Sequence, residues 1–172
     1  KLTAYIKDSQ GKLIRKLKKS EIRTRSAIAG FSFYEDDFVK EFTLKHNSYP
    51  YTIVYSYQEV QDEFLYIAYF LPVINTQVPT RNAVLTIETP KNYKMAVDTQ
   101  FVDDFTEASV GAGKKYRWEM SYKTLVKSEY HSPKISNFLP RVIVIPESFQ
   151  FDQKGSFKDW LSYGNWQYEV NQ

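Results

Sequence analysis

Two histidines, two Asp-Asp pairs and one glycine-rich turn are the residues of this 172-residue chain whose types could first suggest chemistry. His46 in "KHNSYP" and His131 in "EYHSPK" both stand beside turn-forming residues, without an HExxH or paired-histidine spacing. Both read as loop side chains, since a zinc site would have to join two distant loops and recruit carboxylates. Asp36-Asp37 and Asp103-Asp104 raise the carboxylates of a glycosidase or a calcium site. Neighbours on a strand point to opposite faces, and neither pair fits an EF-hand loop, so both read as turn formers or solvated charges. "GAGKKY" (111–116) is too short for a phosphate loop and puts Lys115 where Ser or Thr is required. It reads as a hairpin turn. No GxSxG elbow occurs. The absence of cysteine excludes disulfides, thiolate metal sites and a cysteine nucleophile. No catalytic residue, cofactor or metal is expected.

Lys and Arg number 23 against 20 Asp and Glu, so the net charge of +3 lacks the clustered excess of a nucleic-acid binder. No apolar stretch approaches the roughly 20 residues that span a bilayer, and "KLTAYIKDSQGK" lacks the apolar core of a signal peptide. The chain is expected to be cytoplasmic or already trimmed. Fourteen Tyr and 12 Phe with only six Gly point to a β-rich fold with well-filled layers.

The elements that would position these residues are strands. "AYIKDSQGKLIRKL" (4–17) holds two runs around Asp8-Ser9-Gln10-Gly11, a hairpin pattern. The basic run "KLIRKLKK" (12–19) reads as an edge strand with its charges in water, rather than a polyanion site. "FSFYEDDFVKEFTLK" (31–45) predicts a second hairpin turning at Glu35-Asp36-Asp37. In "YTIVYSYQEV" (51–60), Tyr51, Ile53, Tyr55 and Tyr57 alternate onto one face. "FLYIAYFLP" (64–72), apolar throughout, predicts a strand buried on both sides or at a sheet junction. Further strands are predicted over 82–89, 93–98, 116–122 and 141–146, with turns at Pro90-Lys91-Asn92 and Gly111-Ala112-Gly113. Eight or more closely spaced strands without intervening helices predict an antiparallel sandwich.

Only the end changes character. Ser156 and Asp159 resemble a capping box, and Phe157, Trp160 and Leu161 recur at helical spacing as one apolar stripe, with Gly164-Asn165 weakening or ending the segment. The expected organisation is a sandwich over 1–155 and a helical junction over 156–172.

The stretch "SPKISNFLPRVIVIPESFQFDQKGSFKDWLSYGNWQYEV" (132–170) resembles the closing signature of a bacterial domain of unknown function that commonly precedes a transglutaminase-like domain. The matching residues are Pro140-Arg141-Val142, Phe149, Gly155-Ser156, Trp160, Gly164 and Trp166. Upstream, "YIKDSQGKLIRKLKKSEI" resembles that family's early hairpin and "SYPYTIVYSYQ" its Tyr-Pro-Tyr strand. The resemblance implies a large bent β-sandwich similar to the N-terminal domain of zinc aminopeptidases, followed by a papain-like module. It also implies a periplasmic, envelope or secreted parent, with this chain starting after its signal and stopping before the catalytic core. It carries no catalytic residue onto this sequence, because a papain-like site needs a cysteine.

Two functions are therefore expected to compete. In the first, the chain is a non-catalytic accessory domain whose Phe157, Trp160, Leu161 and Trp166 dock onto the downstream transglutaminase-like domain. In the second, it is a glycan- or peptide-binding module using Tyr51, Tyr55 and Tyr57.

Overall fold

The computed structural model describes residues 1–26, 38–75, 77–124, 130–131 and 133–171. As the sequence predicts, the chain is mainly β, every described strand pair is antiparallel, and one short helix comes last. It divides into two compact units, Lys1–Val60 and Gln61–Gln172.

The first unit is built on β1 (Leu2–Asp8), which pairs with β2 (Leu13–Lys16) on one side. The predicted turn forms because Asp8 Oδ1 accepts the backbone N–H groups of Gln10 and Lys12, both at 2.9 Å. Gly11 supplies the left-handed residue, with φ of +83°. The Leu13–Lys16 part of the basic run is accordingly an edge strand. β3 (Arg23–Ser26) pairs with β4 (Phe38–Glu41), joined by the Arg25–Glu41 ion pair at 2.6 Å. The proposed Glu35-Asp36-Asp37 turn lies outside the described residues.

β5 (Tyr51–Tyr57) runs along the whole of β1, from Leu2 opposite Tyr57 to Asp8 opposite Tyr51. Directly opposed residues share a face, so the Tyr51, Ile53, Tyr55 and Tyr57 row lies with Ala4 and Ile6. Among the described residues of this unit, Ala4, Ile6 and Leu44 are the buried ones, flanked by Leu17, Phe42 and Tyr51.

The second unit holds two three-stranded sheets. In one, β7 (Thr80–Pro90) and β9 (Asp104–Val110) flank β10 (Gly113–Tyr122); in the other, β6 (Ala68–Phe70) and β8 (Met95–Gln100) flank β11 (Arg141–Pro146). Ile87, Trp118 and Met120 of the first meet Val142 and Val144 of the second in one buried cluster, which makes this pair a sandwich. The apolar run 64–72 corrects its expectation. Only Ala68–Phe70 is strand, at a sheet edge, with Ala68 and Phe70 toward the core and Tyr69 facing outward. An edge strand buries one face, so the aromatic alternate, Tyr69, meets Tyr66 at 5.9 Å in the open.

The hairpin of β12 (Ser148–Phe151) and β13 (Gln153–Ser156) then leads to α1 (Trp160–Val170). No described helix is long and apolar enough to cross a membrane.

Candidate interaction surfaces

α1 is held to the β12–β13 hairpin by aromatic rings. Phe149 and Gly155 stand opposite each other in the hairpin, and the missing side chain of Gly155 leaves the space that Phe149 and Trp166 occupy. Trp166 is buried, edge-on to Phe149 at 5.0 Å and stacked with Tyr163 at 5.6 Å. Phe157 adds a third layer, 4.5 Å from Phe149 and 5.2 Å from Tyr163. Tyr163, Trp166 and Val170, spaced by three and four, form the inward stripe of the helix.

The predicted capping box is corrected here. Ser156 is the last residue of β13, its hydroxyl donating to the Glu147 carbonyl at 2.9 Å and accepting the Lys158 N–H at 3.1 Å. The N-cap is Asp159, extended at φ −152°, whose Oδ1 accepts the Ser162 N–H at 2.7 Å. That bond, foremost, holds the Asp159 carboxyl below its ordinary range. Starting later, the helix leaves Phe157 ahead of it, and it continues through Gly164 to Val170 because its inward ring contacts lie on both sides of the glycine.

The four residues proposed for docking therefore separate. Phe157 and Trp166 pack into the unit, whereas Trp160 is 88% and Leu161 74% exposed. Gly164 and the exposed Tyr168 continue the outward face, at four and eight residues from Trp160. Tyr168 was not singled out from the sequence. Extending the 160, 164, 168 spacing past the glycine would have found it.

The tyrosine row is only partly covered. Tyr51 packs between His46 at 6.0 Å and Tyr49 at 5.1 Å, so His46 serves as an aromatic neighbour. Tyr55 meets Phe42 edge-on at 6.4 Å, and Tyr55 and Tyr57 are both more than half exposed. With Phe38, Phe42 and Lys40 they line a depression of about 490 Å³.

The other candidates take bland places. His131 lies in a turn at φ +66°, its ring 4.6 Å from Tyr130. In "GAGKKY" the lysines pair with acids of neighbouring strands, Lys114 with Glu107 at 2.6 Å and Lys115 with Glu88 at 2.9 Å. Glu107 raises the Lys114 pKa. Among the described residues no three His, Cys, Asp or Glu side chains converge on a metal position.

Residues 1–124 match DUF3857, a domain of unknown function. The chain belongs to this family. The DUF3857 match takes in the β1–β2 hairpin and the Tyr-Pro-Tyr strand, while the 132–170 stretch lies outside it. It also ends before β11, the central strand of one sheet of the sandwich. No curated protein and no solved structure matches the chain.

Proposed function

We propose that this DUF3857 chain is a non-catalytic accessory β-domain of an exported bacterial protein, positioning or shielding a transglutaminase-like domain of the same polypeptide. The observation that carries this reading is the outward face of α1, where Trp160 and Leu161 stand in water while Trp166, one and a half turns on, is buried. Apolar area removed from water contributes about 25 cal/mol per Å², and exposed tryptophan is a common anchor of protein interfaces. The early hairpin and the Tyr-Pro-Tyr strand support the family context, in which a bent sandwich of the aminopeptidase N-terminal type precedes the catalytic module. The cysteine of a papain-like site would come from that module, since this chain has none.

The reading frame that encodes the chain is the first check: one without a transglutaminase-like module overturns the proposal. Given one, calorimetric titration of the chain with that module should show saturable binding. The Trp160→Ala/Leu161→Ala variant should keep its melting temperature and bind at least tenfold more weakly. Unchanged affinity in a folded variant would remove α1 from the interface.

A second reading draws on the exposure of Tyr55 and Tyr57 in the depression of the first unit. Rings with one open face stack on sugars or flank an extended peptide. Glycan-array binding lost in Tyr55→Ala/Tyr57→Ala, but kept in the α1 variant, would put this function first.

A further inference from the structure

Among the described strands, the sandwich of the second unit is open on one side. β8 ends one sheet and β9 ends the other. In β8, Val97 and Thr99 stand opposite Val144 and Val142, both buried in the core, so they face inward. In β9, Phe105 and Glu107 stand opposite Trp118 and Tyr116, which places them on the inward face of the other sheet. Inward residues of a closed sandwich are covered by the facing sheet. Here Val97 is 43% and Phe105 50% exposed, and a cleft of about 880 Å³ lies between the two strands.

The charge of this cleft opposes that of the chain. Among the described residues, Asp103, Asp104, Glu107 and Glu147 line it against Lys94 alone, in a protein of net charge +3. Lys94 pairs with Glu147 at 3.2 Å and Lys114 with Glu107 at 2.6 Å. Asp103 and Asp104 have no cationic partner among the described residues. The carboxylates do not converge as metal ligands do, and they would repel an anionic amphiphile such as a fatty acid. An occupant must be apolar toward Val97 and Phe105 and cationic toward the aspartates. β9 adds backbone recognition: its seven residues pair with β10 on one side only, leaving the other edge free among the described strands.

We propose that this cleft binds an extended basic peptide segment. It adds to the edge of β9, and its inward apolar side chains fill the gap between β8 and β9 beside Phe105. Its alternate Lys or Arg residues lie on the other face, where Asp104 stands opposite Glu119, and reach Asp103 just ahead of the strand. The site is separate from the α1 face and does not depend on the function proposed above.

The test uses the 172-residue chain, ¹⁵N-labelled, and two blocked heptapeptides, one alternating Val with Lys and one alternating Val with Glu. The Val–Lys peptide should shift amide resonances of β8 and β9 saturably, with binding weakened at least tenfold by Asp103→Asn/Asp104→Asn and again by 0.5 M salt, as exposed ion pairs are. Phe105→Ser, which changes the gap and leaves the aspartates, should weaken it also and guards against a charge effect alone. Equal binding of the Val–Glu peptide, shifts confined to other strands, or no saturable shift at millimolar peptide would each overturn the proposal.

Discussion

Gly155 has a physical reason in the packing of the hairpin against α1. A Cβ built there would run into the Phe149 ring and come within 2.8 Å of Trp166 Cδ1. Gly155→Ala is expected to cost about 1–3 kcal/mol by overpacking, read from urea denaturation, and a variant as stable as the parent would mean that the rings can move aside. Asp159 acts through hydrogen bonding instead. Its carboxyl is held below the ordinary value of 3.8, first by the backbone N–H of Ser162. A lowered folded-state pKa means that the cap's contribution is complete above the ordinary value and is lost as pH falls through the lowered one. Circular dichroism should therefore show α1 fraying on acidification below pH 3.8. Asp159→Asn should keep the cap and lose that dependence. Asp159→Ala should lower the melting temperature at neutral pH by about 2–4 °C.

The two tryptophans of α1 turn one sequence pattern into opposite expectations. Trp166→Ala empties a buried ring site and should destabilise the second unit by about 3–5 kcal/mol. Trp160→Ala removes an exposed ring and should stay within about 0.5 kcal/mol; chemical denaturation of both variants separates core from surface directly. The sequence pointed to an aromatic helix, but not to which ring turns inward. Ser156 and Asp159 are both competent caps three residues apart, and only the pairing of Ser156 with Ser148 in the hairpin assigns the cap to Asp159. Moving the start from 156 to 159 takes Phe157 out of the helix and leaves Trp160 and Leu161 on its outer side. The tyrosine row of β5 was readable because a strand repeats every two residues whatever lies against it. The run 64–72 was not, since unbroken apolarity has no period to report which residues face water. The cleft between β8 and β9 was likewise hidden, because β9 is exposed throughout and its pairing partner decides which alternates face inward.

The same dependence on distant pairing governs how the molecule can be divided. The DUF3857 match stops at residue 124, but the second unit does not. β11, at 141–146, is the strand to which both β6 and β8 bond, and its Val142 and Val144 are fully buried against Trp118 and Met120. Without it, β6 and β8 lose their only described partner and the β7-β10-β9 sheet loses the face that covers its core. A sheet of three strands with one bare apolar face is a poor independent fold. A fragment ending at residue 124 is therefore expected to lose the tertiary signals of the sandwich and to bind hydrophobic dyes. A fragment of residues 61–172, which retains both sheets, the hairpin and α1, should unfold in a single cooperative transition with a near-ultraviolet spectrum dominated by buried Trp118 and Trp166. Amide spectra of the two fragments decide the matter. Dispersed β7, β8 and β10 resonances in the 1–124 fragment would mean that the core closes without β11, and that the family's boundary is also the boundary of the fold.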